Sequence, residues 1–247
     1  MQQAFSISNS IFKPDVIVFM GDLIDEGSFS RDQYFDEACN DFERIFAYDE
    51  INQERIIIPG NHDVGSHDQM KNSPYLLKRF QDRFAVTIGI DLVQTPKTKH
   101  LNLVVSNSMS FYNDTCPFCH NSMAALNQLE RSLDSIMKKN PKDYVAPILL
   151  GHIPLFRKND LNCTYPASIQ ERVAKGNNEG EEVIHKVASN AILSKLRPRL
   201  ALSGHTHMES ATVSLALYKL SVADKDLIKS GEEDNGRHNE DRDDSAC

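Results

Sequence analysis

Apolar positions along this chain fall into two alternating patterns. The segments "DVIVFM" (15–20), "RIIIPG" (55–60), "LNLVVSNS" (101–108), "YVAPILLG" (144–151) and "RLALSG" (199–204) are short and nearly continuous in hydrophobic residues. Runs of this kind predict strands buried on both faces of a sheet. Between them the period lengthens. Residues 31–47 place Phe35, Ala38, Cys39, Phe42, Ile45 and Phe46 at helical spacing, and Ser30 with Gln33 predicts a capping box at its start. Residues 122–138 carry Leu126, Leu129, Leu133, Ile136 and Met137 on one stripe, and Ile184, Val187, Ala188 and Ala191 mark a further helix. A polar loop is expected over 157–180 and a last strand in "ATVSLALYKL" (211–220). The alternation predicts an α/β fold in one layered domain over residues 1–222, followed by an acidic, disordered tail over 223–247.

Charge sharpens this division. Of the formal net charge of −8, the last 24 residues carry −5, with nine acidic and four basic side chains. The rest has no basic stripe, which argues against nucleic acid as a partner. No apolar run approaches the ~20 residues of a membrane span. The opening "MQQAFSISNSIF" lacks the basic start and apolar stretch of a signal peptide. The cysteines point in another direction. Cys116 and Cys119 form "CPFC", Cys163 follows in "NCT", and sequons at Asn113 and Asn162 lie beside them. Sequons next to clustered cysteines indicate an oxidising, lumenal compartment, with a disulfide expected among Cys116, Cys119 and Cys163. "CPFCH" also matches a c-type haem attachment pattern, which nothing else in the chain supports.

Candidate chemistry lies at the strand ends. "DVIVFM" runs into "GDLIDEG", "RIIIP" into "GNHDVG", "APILL" into "GHIPL", and "RLALS" into "GHTH". Four times a strand closes in glycine and then in Asp, Asn or His. Loops at strand C-termini are where α/β sheets assemble their sites, and these side chains are oxygen and nitrogen donors suited to metals.

Gly21-Asp22-x-x-Asp25, Gly60-Asn61-His62-Asp63, Gly151-His152 and Gly204-His205-x-His207 resemble, in order, the last four blocks of the calcineurin-like metallophosphoesterase superfamily. The resemblance covers roughly residues 1–210 and implies a layered α/β/β/α sandwich that hydrolyses phosphoric esters with two divalent ions ~3.5–4 Å apart. It implies that Asp22 bridges both ions, that Asn61, His152 and His205 complete the second, and that His207 reaches the first. A mixed nitrogen and oxygen shell suits Mn²⁺, Fe or Zn²⁺ better than Mg²⁺ or Ca²⁺. His62 is implied as the acid at the leaving-group oxygen, oriented by Asp63 or Asp25, each with turn or cap duty as the alternative. His67 and Arg157 are candidate substrate contacts, or else ordinary solvated loop residues.

"FKPDVIVFMGDLIDEG", "PGNHDVGSH" and "HIPLFRKNDLNC" resemble a narrower group within the superfamily, the GPI-anchor-remodelling metallophosphoesterases. That resemblance implies Mn²⁺ as the metal, removal of ethanolamine phosphate from the GPI glycan, a lumenal catalytic domain at ER exit sites and the Golgi, and a membrane anchor in the parent protein. A non-catalytic trafficking module on the same fold and a nucleotide phosphodiesterase are the alternatives. The first family block, D-x-H, has no counterpart here. The sandwich is therefore expected to lack its first strand, the first metal site to be incomplete, and the chain to be part of a longer protein and weak or inactive by itself.

Overall fold

The computed structural model describes residues 1–112, 116–158 and 177–205. The expected strand at 211–220, the acidic tail, His207, Cys163 and both sequon threonines lie outside the described residues. In chain order the elements are α1 (Gln2–Phe12), β1 (Val16–Phe19), α2 (Asp32–Ile45), β2 (Glu54–Ile57), α3 (Asn61–Val64), α4 (His67–Asn72), α5 (Pro74–Phe84), β3 (Ile90–Val93), β4 (Leu103–Ser106), α6 (Pro117–Lys139), β5 (Ile148–Gly151), α7 (Lys186–Leu196) and β6 (Leu200–Ser203).

The strands form two sheets. β1 and β2 pair in parallel, Val16 opposite Glu54 through Phe19 opposite Ile57. The second sheet runs β3-β4-β5-β6, with β3 antiparallel to β4 and the other pairs parallel. Because side chains alternate across a strand, each sheet has two apolar faces to cover. Leu103, Val105 and Leu150 meet Ile56, Ile58, Val16 and Val18 between the sheets. On the opposite face of the larger sheet, Val104 and Leu149 join Leu126, Leu129 and Leu133 of α6 and Ile192 of α7. Outside the smaller sheet, Phe19 packs edge-on against Phe42 at 4.9 Å and Phe46 at 5.1 Å, and Phe5 of α1 closes the same aromatic group. The layers are therefore α/β/β/α. Among the described residues β1 has a single strand partner, β2.

The start of α2 differs from the sequence reading. Its N-cap is Arg31, and the Ser30–Gln33 capping box does not form. Ser30 Oγ donates instead to the Gly27 carbonyl, and Gln33 bonds Glu37 one turn along. The guanidinium of Arg79, lying 4.2 Å over the Phe35 ring, donates to the carbonyls of Gly27 and Ser30 and draws residues 27–30 toward α5. Long-range hydrogen bonds from a charged donor outweigh one local cap.

Candidate metal centre

All four glycine-led strand ends arrive at the same edge of the sandwich. Asp22 follows β1, Asn61 follows β2, His152 follows β5 and His205 follows β6. Close approach of the first two loops depends on glycine. A Cβ on Gly60 would overlap both the carboxylate and the N–H of Asp22. Gly21 has φ +94°, a conformation L side chains rarely adopt. Asp22 and His205 also sit in the left-handed region, at φ 54° and 68°. Non-glycine residues held there mark positions over-determined by their surroundings, commonly at functional sites.

His152 is the hub. It is 1 % exposed, and its Nε2 lies 3.2 Å from Asp22 Oδ2, 3.0 Å from Asn61 Oδ1 and 3.2 Å from His205 Nδ1. Backbone carbonyls set both ring tautomers. His152 Nδ1 is 2.7 Å from the Met20 carbonyl oxygen, and His205 Nε2 is 2.7 Å from that of Glu181. A carbonyl accepts only from N–H, so each ring donates there, and its other nitrogen is the one available to a metal. Those two nitrogens face each other and two oxygens. Asp22, His152 and His205 each offer a ligand atom within 4.8 Å of the others, and Asn61 adds its amide oxygen. Two imidazole nitrogens, a carboxylate and an amide oxygen, with carbonyls fixing the rings from behind, fit a divalent transition metal. Burial works against ionisation of Asp22. The His152 ring beside it and the His62 N–H donated to it at 2.9 Å prevail, and hold its carboxyl below the ordinary range.

His62 stands at the rim, its side chain 46 % exposed. Its Nδ1 lies 2.9 Å from the carbonyl oxygen of Asp25 and 3.1 Å from Asp25 Oδ1. Burial pulls its pKa down, but these bonds and the charges of Asp22 and Asp25 outweigh that and raise it. Asp63 takes no part in this orientation. Fully buried, it accepts the N–H of Gly60 at 2.9 Å and of Ile24 at 3.0 Å, tying the first loop to the second. Burial pushes its carboxyl up to about 7.

Two residues read from the sequence as substrate contacts or solvated loop residues are buried. His67 is 2 % exposed, stacked on Tyr112 at 3.9 Å, with Nδ1 3.0 Å from the Met109 carbonyl. Arg157 is 9 % exposed, and its carbonyl accepts from Asn177. Cys116 and Cys119 form a disulfide. The sequence reading missed the Met20 and Glu181 carbonyls, because backbone partners leave no residue-type signal. It missed Tyr112, whose hydroxyl donates to the Gly180 carbonyl and so braces the residue before Glu181.

A four-donor strand-end centre in an α/β/β/α sandwich defines a class, and comparison with known proteins gives the same answer. A family profile described as calcineurin-like phosphoesterase matches residues 2–209, and the chain belongs to that family. It is 36 % identical to metallophosphoesterase 1 of Mus musculus over 219 residues, covering 84 % of this chain and 53 % of that protein. It is 33 % identical to metallophosphoesterase 1 of Danio rerio (88 % and 58 % covered), and 34 % identical to the metallophosphoesterase 1 homolog of Caenorhabditis elegans (84 % and 52 %). The chain thus spans a little over half the length of these curated relatives. No solved structure matches it. Among the described residues, no helix is long and apolar enough to cross a membrane.

Proposed function

We propose that the protein is a metal-dependent phosphodiesterase that removes ethanolamine phosphate from the GPI-anchor glycan in the lumen of the early secretory pathway. The observation that carries the reaction class is the convergence of Asp22, Asn61 and His205 on His152 Nε2. The substrate rests on the narrower resemblance. The compartment rests on the disulfide beside the sequons at Asn113 and Asn162. Asp22, Asn61, His152 and His205 would hold one divalent ion, and Asp22 with His207 would contribute to a second, with Mn²⁺ the expected metal.

When bound, divalent ions in such a site supply Lewis-acid stabilisation of charge on the phosphoryl oxygens and lower the pKa of water. The protein's own residues supply the rest. Met20 and Glu181 keep the opposite ring nitrogens aimed inward. Asp63 locks the two loops together. Asp25 holds His62 through Nδ1, leaving Nε2 for the substrate, and the raised pKa favours the imidazolium that can pass a proton from Nε2 to the departing alcohol oxygen.

The test uses the purified chain and a full-length form with Mn²⁺ and two substrates, a GPI glycan bearing ethanolamine phosphate and an aryl phosphodiester. Loss of one ethanolamine phosphate by mass spectrometry, abolished by Asp22→Ala, is the expected result for a full-length form, with little or no turnover by this chain alone. Turnover of the aryl diester with an untouched glycan overturns the substrate, and cyclic-nucleotide hydrolysis would then indicate the nucleotide phosphodiesterase. Inertness toward all substrates in both this chain and a full-length form overturns the enzymatic reading in favour of a binding module.

A further inference from the structure

His67, Cys116 and Cys119 form a cluster that shares no residue with the strand-end centre, each 2 % exposed or less. Each offers one potential ligand atom, and the three fall within 4.8 Å of one another. They come from two elements. His67 opens α4, Cys116 is the N-cap of α6, and Cys119 sits in the first turn of that 23-residue helix. Cys119 Sγ is 3.9 Å from His67 Nδ1. The imidazole is held with its edge to the sulfurs, its face stacked on Tyr112 within 4° of parallel and its far side against Phe118.

Cys116 and Cys119 are joined, and a disulfide has no thiolate to give a metal. Reduction changes the balance. Two buried thiols next to an imidazole are three soft or borderline donors. The Cys-x-x-Cys spacing is that of half of a structural zinc site. The Cys119 N–H already points at Cys116 Sγ at 3.1 Å, and the start of α6 favours negative charge on that sulfur. Burial disfavours the same charge, and a bound cation would remove that penalty.

We propose that reduction of the Cys116–Cys119 disulfide converts this cluster into a second kind of metal site, a thiolate–imidazole site for Zn²⁺ or a similar soft cation. A dithiol reductant closes to its own disulfide as the S–S bond opens to two thiols. The cation then displaces their two protons and forms two metal–sulfur bonds. His67 ligates through Nδ1, the nitrogen facing Cys119, by carrying its proton on Nε2 and giving up the bond to the Met109 carbonyl. The oxidised protein keeps the disulfide and takes no metal here. The proposal is independent of the phosphodiesterase reading, since none of its donors belongs to the strand-end centre.

Cobalt distinguishes the two sites, because only thiolate ligands give the intense near-ultraviolet sulfur-to-cobalt charge-transfer band. The intact chain is treated with a phosphine reductant, or left oxidised, and titrated anaerobically with Co²⁺, with circular dichroism recorded to follow the fold. The band is expected to saturate at one Co²⁺ beyond those taken up by the oxidised protein, to be absent from oxidised protein, and to be bleached by added Zn²⁺. Cys116→Ser and Cys119→Ser are expected to abolish it, and His67→Phe to weaken Co²⁺ affinity at least tenfold. Reduced, folded protein without the band overturns the proposal. So does a band that survives Cys116→Ser at full strength, which would place the thiolates on other cysteines. Unchanged affinity in His67→Phe removes the imidazole from the site and overturns it as stated.

Discussion

His205 Nδ1 faces His152 Nε2 across 3.2 Å, and the opposite nitrogen of each ring is committed to a carbonyl, that of Glu181 or of Met20. A cation ligated by both nitrogens, by Asp22 and by Asn61 adds bonds that only the folded protein can offer. The metal-free protein is therefore expected to be measurably less stable than the loaded one. At a hundredfold excess of metal over Kd the gain is about 2.7 kcal/mol. Thermal melting with and without Mn²⁺ or Zn²⁺ reads it directly, and His152→Ala should remove most of the shift.

Removing the Tyr112 hydroxyl tests how far the bracing behind His205 extends. In Tyr112→Phe the Gly180 carbonyl loses its donor, and the neighbouring Glu181 carbonyl, which fixes His205, is less well held. Second-layer changes of this kind typically cost ~10–100-fold in metal affinity. A loss toward the lower end is expected by calorimetric titration, with the melting temperature of the metal-free protein little changed.

Asp63 gives a pH dependence whose sign is set by burial. Its folded pKa, about 7, stands above the ordinary 3.8, so between those values the folded protein holds more protons than the unfolded chain. Stability contributed by this residue is then greatest below pH 4 and is lost as pH rises toward 7. Denaturation of metal-free protein across that range should show a decline relative to Asp63→Asn. A flat difference between the two would count against the assignment.

Cys39 is fully buried, and burial pushes its thiol up to about 11. Native protein should leave the Cys39 peptide unalkylated by iodoacetamide at pH 8, and urea should expose it, as peptide mass spectrometry would show.

For His62, loss of general-acid help predicts a rate reduced ~10²–10⁴-fold in His62→Ala. Asp25→Ala should cost less, since the Asp25 carbonyl still holds Nδ1 after the carboxylate is gone. Equal losses in both variants would show that the carboxylate, rather than the carbonyl, sets the ring.

Much of the fold was legible because burial on both faces leaves unbroken apolar runs. β1, β4, β5 and β6 each fall inside a segment read as a strand, β2 starts one residue before its segment, and α2, α6 and α7 overlap the periodic stretches. The region between Asn61 and Ile90 was read only for its GNHD block and His67. Its α5 starts with Pro74 at the first helical position and buries Leu77 and Phe80, a signal that was present, whereas β3 is an edge strand whose apolar run is broken by the exposed Asp91. At the site, residue types and glycine-led strand ends pointed to Asp22, Asn61, His152 and His205, which the structure places together. His62 is held by Asp25 and not by Asp63, a choice that spacing left open because both carboxylates lie within three residues of a glycine turn. The burial of His67 and Arg157 was beyond sequence reasoning, since it depends on Tyr112 and on the chain around Asn177.

The central claim is that Asp22, Asn61, His152 and His205 hold one divalent ion. Calorimetric titration of metal-free protein with Mn²⁺, and separately Zn²⁺, tests it most directly when run on wild type, Asn61→Ala, His152→Ala and Asp25→Ala. The account predicts a saturable site in wild type, weakened at least a hundredfold by Asn61→Ala and His152→Ala and unaffected by Asp25→Ala. Wild-type affinity retained in His152→Ala would contradict it.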